Sequence, residues 1–87
     1  MRFQWDEHKN QSNIAKHGFD LADAPPVFAG PLRVTLDNRF DYGEDRFIGL
    51  GLLGIRVVLI VFTEPEEEII RIIPMRKAVT HEQKQYE

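Results

Sequence analysis

The chain of 87 residues has no cysteine, which excludes disulfide staples, thiol chemistry and cysteine-type zinc sites and fits a reducing compartment. It also has no long hydrophobic run. The longest, residues 57–62, is far shorter than the roughly 20 residues of a membrane helix. Its first residues do not form the hydrophobic region of a signal peptide. We therefore expect a cytoplasmic protein that does not associate with a membrane.

Basic residues are also fewer than acidic ones. The chain has 11 Lys and Arg against 14 Asp and Glu, for a formal net charge of -3. Because Lys and Arg carry the binding of phosphodiesters, this balance disfavours generic nucleic-acid binding but leaves room for a local basic site. The composition, 43% hydrophobic and 29% charged, is ordinary for a globular protein. The length predicts one small domain over residues 1–87 and excludes large cofactor folds.

Motifs for metals, cofactors and covalent catalysis are missing as well. The three histidines (His8, His17 and His81) do not have the helical spacing of a metal site. The segment 49–51, Gly-Leu-Gly, lacks the third glycine and the following helix of a phosphate-cradling loop. Neither Ser12 nor Thr80 lies in a nucleophile elbow or triad pattern. The sequence predicts no metal and no cofactor.

Helix signals lie at both ends of the chain. Asp6 is a good N-cap for a helix that would end at Gly18, the usual residue at a left-handed stop. Asp20 can cap a second helix, which the two prolines at 25–26 either end after one turn or restart. Thr80 and Gln83 fit a capping box and predict a short C-terminal helix.

Strand signals fill the middle of the sequence. Residues 32–36 alternate apolar and polar, which predicts a half-buried strand. Three more strands are predicted at residues 46–51, 56–63 and 68–73, with turns at 52–54 and 64–67. The strand at 56–63 is apolar on both faces and is expected to be central. Short connections favour antiparallel pairing. We predict an α+β fold with two N-terminal helices, a four-stranded antiparallel sheet and a short C-terminal helix.

Cationic side chains recur along the predicted strands: Arg46, Arg56, Arg71, Arg76 and Lys77. In an antiparallel sheet they can converge on one open face. One interpretation is a set of static salt bridges to nearby carboxylates such as Glu44, Asp45 or Glu64. The other is an anion site for a phosphodiester, which suits arginine because its planar fork donates hydrogen bonds in pairs.

Three further side chains are candidates for moving protons. Lys16 and His17 end the first predicted helix, where the helix dipole favours cations without any functional role, although imidazole suits acid–base work near neutral pH. Glu44 lies two residues before Arg46 and is either a general base or half of a static ion pair. The sequence leaves these alternatives open.

The order of residues along the chain resembles that of the BrnT family. The resemblance covers nearly the whole chain and rests on these segments: Phe3-x-Trp5-Asp6, Lys9, Asn13, Lys16-His17-Gly18, Val27-Phe28, Gly43-Glu44-x-Arg46-Phe47, Val61-Phe62-Thr63-Glu64, Ile70-Arg71-Ile72-Ile73, Arg76-Lys77-Ala78, Glu82 and Tyr86. It is the set together, and no single motif, that is specific.

The resemblance implies a RelE-like fold with a twisted antiparallel sheet. It also implies the toxin of a type II toxin–antitoxin system, a metal-independent endoribonuclease that cuts RNA and so inhibits translation and growth. The partner would be a BrnA-like antitoxin with a ribbon-helix-helix domain, in an assembly of two toxins and two antitoxins. That complex would bind operator DNA only through the antitoxin.

Carried over by position, the resemblance makes six residues candidate catalytic residues: Lys16, His17, Glu44, Arg46, Arg71 and Arg76. Arg56, Lys77 and Tyr86 are candidate substrate-binding residues. One departure is Pro74-Met75, where the family usually has Ser-Ala. A proline favours an early end of the last strand. The other departure is the acidic net charge.

Two alternative functions remain from the sequence. A catalytically degenerate toxin would retain only antitoxin binding and operon co-repression. A general RNA-binding domain would need stacking aromatics on its sheet, for which the predicted strands offer only Phe47 and Phe62.

Overall fold

The computed structural model describes residues 1–87, which form five strands and three α-helices. In chain order the elements are β1 (Arg2–Gln4), α1 (Glu7–His17), a 3-10 turn (Leu21–Asp23), α2 (Pro25–Ala29), β2 (Arg33–Asp37), β3 (Arg46–Leu53), β4 (Arg56–Glu66), β5 (Ile69–Lys77) and α3 (Thr80–Tyr86).

The sheet differs from the prediction in strand number and direction. Its order is β1-β5-β4-β3-β2, so β4 is central as expected. Strand β1 pairs parallel to β5, whereas the other pairs are antiparallel. The α+β class is confirmed. The predicted RelE-like, four-stranded antiparallel sheet is wrong, because the short N-terminal lead adds a fifth, parallel strand.

The N-terminal region is a strand followed by helical segments, not simply two helices. Helix α1 begins and ends as predicted: the Asp6 carboxylate accepts from the Lys9 amide at 3.1 Å, and Gly18 is left-handed with φ 76°. The Asp20 carboxylate caps only the 3-10 turn. The helix then restarts at Pro25, where a proline fits the first helical position.

Two predicted strand ends and one predicted helix cap are also wrong. Strand β3 continues through Leu53, and the tight turn is made by Gly54, with φ 64°, and Ile55. Strand β4 continues through Pro65 to Glu66, with a register shift after Thr63. Helix α3 is capped from Glu82, whose carboxylate accepts from the Val79 amide at 2.9 Å, and not by Thr80 with Gln83.

Strand β5 does not end early, because Pro74 lies at a bulge. Ile72 pairs with Phe62 and Met75 pairs with Ile60, so β5 has one residue more than β4 between these pairs. The other edge of β5 is covered by a side chain from α1. Asn13 donates to the Met75 carbonyl at 3.0 Å and accepts from the Met75 amide at 3.2 Å, as a neighbouring strand would.

The two faces of the sheet are covered unequally. On one face α2 and the 3-10 turn pack over the main core, which includes Leu21, Val27, Ile60, Ile72 and Met75. On the opposite face only the short α3 covers a smaller cluster: Leu50, Leu59, Val61 and Ala78. The rest of that second face is open.

The glycines of β3 serve packing. A Cβ added to Gly51 would lie 2.6 Å from Val27 Cγ1, and one added to Gly49 would lie 3.2 Å from Leu32 Cδ1. Helix α2 and the chain after it therefore approach β3 more closely than a side chain there would allow.

Strand β2 is more exposed than its alternating pattern predicted. Val34 is 47% exposed and Leu36 is 52% exposed. The strand lies at the edge of the sheet, and α2 does not extend over these residues.

Candidate functional site

A polar row crosses the open face of the sheet at one level. The register of the sheet pairs Asp37 with Arg46, Thr63 with Arg71, and Arg71 with Gln4. Arg46 and Thr63 stand one step beyond the Phe47–Phe62 pair. Paired residues lie on the same side of a sheet, so one side chain from each strand contributes to the row. The polar row is thus Gln4, Arg71, Thr63, Arg46 and Asp37.

One end of the polar row opens into a concavity of about 130 Å³. Lys9 from the first turn of α1 and Glu44 from the loop before β3 line it together with Arg46, Arg71 and Asp6. This gives three cationic and two anionic side chains in a protein whose net charge is -3. The Asp6 carboxylate is engaged in capping α1. The concavity is therefore a local basic site.

The arginines of the polar row have no carboxylate partner. Neither Arg46 nor Arg71 forms a salt bridge, so the static salt-bridge interpretation does not hold for them. The Nε of Arg46 and the Oγ1 of Thr63 are buried without a hydrogen-bond partner. Leaving a buried polar group unpaired costs about 1–3 kcal/mol. Hydrogen-bonding capacity is thus left unused along the row.

The loop between β2 and β3 holds Arg46 from one side. Its guanidinium carbon lies 4.0 Å above the centre of the Tyr42 ring, a cation–π contact. The Tyr42 hydroxyl donates to the Asp37 carboxylate at 3.3 Å. The fork of Arg39 donates to both oxygens of that carboxylate, which lowers the pKa of Asp37 to about 2. Asp37 is therefore a charged anchor for the loop.

Arg76 is in a different situation at the other end of the same face. It pairs with Leu59, beneath α3, and its fork donates to both Glu82 oxygens at 2.9 Å. A third hydrogen bond goes to the Lys77 carbonyl. The guanidinium of Arg76 lowers the pKa of Glu82. Arg76 and Arg71 are about 16 Å apart along the strand, so the structure does not bring Arg76 to the polar row.

Lys16 and His17 also lie away from the polar row. They form the last turn of α1, while Lys9 stands in its first part. At about 1.5 Å of rise per residue, the axis separates His17 from Lys9 by about 12 Å. The structure brings together Glu44, Arg46 and Arg71 of the six candidate catalytic residues, and leaves Lys16, His17 and Arg76 outside.

The candidate substrate-binding residues are spread over the molecule. The Arg56 guanidinium lies 4.8 Å from the centre of the Phe19 ring, at the β3–β4 turn. Lys77 is exposed at the end of β5. The Tyr86 hydroxyl donates to the Pro31 carbonyl at 3.0 Å, which ties α3 to the start of β2.

Sequence reasoning did not select Lys9, Thr63 or Tyr42 as site residues. Lys9 follows the α1 cap Asp6 by three residues, a spacing that places both near the start of one helix. A buried threonine in an otherwise apolar central strand was a signal that went unused. The role of Tyr42 depends on loop geometry, for which the sequence carried no pattern.

Two classes of feature are absent from the structure. No three His, Asp or Glu side chains come together in a way that could hold a metal ion. No helix is long and apolar enough to cross a membrane.

Unpaired cations beside a carboxylate, on the open face of a small α+β sheet, define a domain suited to binding a phosphodiester anion.

The family model described as the ribonuclease toxin BrnT of type II toxin–antitoxin systems matches residues 5–82. A crystal structure of the Brucella abortus ribonuclease toxin BrnT is similar to this fold, with a TM-score of 0.72 and 32% sequence identity. The match covers 92% of this chain and 99% of that one. Among curated proteins, none matches the chain significantly.

The chain therefore belongs to the BrnT family of ribonuclease toxins. This confirms the resemblance found in the sequence. Membership in a type II toxin–antitoxin family also implies an antitoxin partner.

Proposed function

We propose that this chain is an active endoribonuclease whose site is the concavity of about 130 Å³ at the polar row. One observation carries the proposal. Arg46, Arg71 and Lys9 line one concavity with Glu44, and neither arginine has a carboxylate partner. Arginines free of salt bridges keep their donors for a ligand, and their planar fork matches the geometry of a phosphate.

The side chains of the site suit the three requirements of RNA cleavage. Arg46 and Arg71 bind the scissile phosphate and stabilise the charge that develops on it. Glu44 takes the proton of the attacking 2′-hydroxyl, and Lys9 gives a proton to the departing 5′-oxygen. Under this assignment Arg76 and Tyr86 have structural roles, and Lys16, His17, Arg56 and Lys77 take no part in the reaction.

The proposed cleavage is independent of metal ions. The support is the chemistry of the donors present: three cationic side chains provide the charge stabilisation that a bound cation would otherwise supply. The two carboxylates of the concavity are not needed as metal ligands in this proposal, since Asp6 caps α1 and Glu44 is the proposed base.

The proposed biological role follows from the family. Cleavage of cytoplasmic RNA lowers translation and arrests growth, and an antitoxin prevents it. We propose a BrnA-like antitoxin with a ribbon-helix-helix domain, in a complex of two toxins and two antitoxins that binds operator DNA through the antitoxin.

Growth of a bacterial host after induction of this chain alone tests the proposal. We expect arrest by the parent, growth with the Arg46→Ala, Arg71→Ala double variant, and arrest by the matched Arg76→Ala control, all at equal soluble levels. Co-expression of the antitoxin is expected to restore growth with the parent. Growth with the folded parent alone contradicts the proposal.

One observation favours the second candidate function, antitoxin binding without cleavage. Arg76, one of the family's arginines, is fully engaged by Glu82, while Val34 and Leu36 expose apolar surface on the edge strand. A degenerate toxin of this kind would bind the antitoxin, leave RNA uncut and permit growth. Purified parent protein with a single-stranded RNA separates the two functions, since only the nuclease shortens it.

A further inference from the structure

The loop between β2 and β3 presents an exposed aromatic ring beside the polar row. Phe40 is 68% exposed. Its ring meets the Tyr42 ring edge-on, with the centroids 5.8 Å apart and the planes at 71°. The Arg46 guanidinium lies over the Tyr42 ring. Phe40, Tyr42 and Arg46 thus form a continuous series from the loop tip to the proposed phosphate site.

Hydrogen bonds rather than burial hold this loop in place. The buried Asp37 carboxylate accepts from the side chains of Arg39 and Tyr42. The Asp41 carboxylate accepts from the amide of Gly43, which has φ 75°. The loop therefore supports an exposed ring that belongs to neither core cluster.

The ring lies beside two concavities of opposite charge. The one lined by residues 36–45, of about 540 Å³, has more acidic than basic side chains, and it shares Glu44 with the cationic concavity of Arg46 and Arg71. A ligand that covers Phe40 can therefore place a negative charge only on the Arg46 side. Leu36 is the only other strongly exposed apolar side chain of this concavity, and it stands among charged residues that a partner's apolar surface would have to desolvate. An unpaired nucleobase needs only one aromatic face, and its phosphate needs the neighbouring cations.

We propose that Phe40 is a stacking platform for one unpaired base of the RNA whose phosphate binds at Arg46 and Arg71, an inference that rests on the proposed function. Tyr42 supports the Phe40 ring and holds Arg46, so base and phosphate are bound by one connected unit. The site accordingly takes single-stranded RNA. Stacking by itself does not select the base, because every base has an aromatic face.

The test is the binding of a short single-stranded RNA with 2′-O-methyl riboses, which lacks the attacking hydroxyl and is not cut. Affinity is measured at low salt by fluorescence anisotropy, with a second oligonucleotide of the same length whose bases are removed. We expect Phe40→Leu to weaken binding of the intact RNA about five-fold or more, as one lost stack does. Phe40→Trp should restore it, and the abasic strand should bind parent and Phe40→Leu equally.

The result that overturns the inference is equal binding of the intact RNA by parent and Phe40→Leu, with Arg71→Ala weakening the binding of both oligonucleotides. The phosphate site would then stand, and Phe40 would serve another partner. If the parent binds neither oligonucleotide, the proposed function and the inference both fail. The exposed Phe40 lies outside both core clusters, so we expect its variants to fold, and thermal melting of each variant checks this.

Discussion

Two arginines on the open face of β5 show how the same residue type serves two purposes. Arg76 lies under α3 and gives its whole fork to Glu82. Arg71 lies in the polar row, is exposed, and forms no salt bridge. The covered end of the face has satisfied its charges internally. At the open end, Arg46 and Arg71 have no carboxylate partner within the chain.

The difference depends on where carboxylates arrive in space, not on how many are nearby in sequence. Glu66 at the end of β4 and Glu67 and Glu68 in the following turn precede Arg71 closely, yet none of them forms a salt bridge with it. Glu82 reaches Arg76 because α3 folds back over the sheet. An acidic chain can therefore contain a basic site, provided that its carboxylates are held elsewhere.

The largest expected effect separates the two arginines by activity. Arg71→Ala should lower the rate of RNA cleavage about 100-fold or more, as loss of a donor to a developing oxyanion does, whereas Arg76→Ala should change it little. Single-turnover cleavage of a single-stranded RNA by purified variants measures this. Equal losses in two well-folded variants would remove the functional distinction between the two ends.

The second prediction concerns the two hydrogen bonds from Asn13 to Met75 of β5, which lies between the two arginines. Asn13→Ala leaves the buried amide and carbonyl of Met75 without partners, and should lower the free energy of unfolding by about 2–4 kcal/mol. Gln11→Ala, on the exposed side of α1, is the matched control and should change it by less than about 0.5 kcal/mol. Urea denaturation measures both. Similar values for the two variants would contradict the bridging role of Asn13.

The third prediction concerns stability, for which we expect replacement of Arg76 to matter and replacement of Arg71 to have little effect. Arg76→Ala and Glu82→Ala should each lower the free energy of unfolding by about 1–2 kcal/mol, because the pair is only partly exposed and doubly hydrogen-bonded. Their double variant should lose less than the sum of the two. Arg71→Ala should stay within about 0.5 kcal/mol of the parent. A stability loss for Arg71→Ala as large as that for Arg76→Ala would mean that Arg71 is also structural.

The smallest expected effect is the dependence of stability on acid. The pKa of Asp37 is lowered from 3.8 to about 2 in the folded chain, chiefly by the Arg39 hydrogen bonds. Its contribution is complete above the unfolded pKa and is lost as the pH falls from about 4 to 2. Glu82 acts in the same direction. Thermal melting between pH 5 and about 2 should show a shallower decline for Asp37→Asn than for the parent, and identical slopes would argue against the Asp37 anchor.

The sequence predicted the parts of the fold that depend on local chemistry. The cap at Asp6, the stop at Gly18 and the central position of β4 depend on side chains close in the chain or on hydrophobic pattern. Strand β1 was missed because a three-residue parallel strand has no periodicity to detect. The bulge at Pro74 was missed because the bridging Asn13 lies far away in sequence.

The candidate site was predicted in part for the same reason. Glu44 and Arg46 are two residues apart, and alternation along strands places Arg46 and Arg71 on one face. Five residues of strand separate Arg76 from that site, whereas the face it lies on depends on the bulge and its partner Glu82 comes from α3. The distance of Lys16 and His17 from it depends on the length of α1. Lys9 reaches the site only because β1 fixes where α1 starts.

The parallel pairing of β1 with β5 determines how early during synthesis the proposed site can form. The Asn13 side chain can bond the nearby Phe19 carbonyl early, but its hydrogen bonds to Met75, 62 residues later, form only once β5 has been synthesised. Likewise, Gln4 of β1 has no residue on a neighbouring strand to pair with until Arg71 has been synthesised. Contacts between distant parts of a chain form late in folding. A ribosome must therefore have synthesised the chain through Arg71 before the proposed nuclease site can exist.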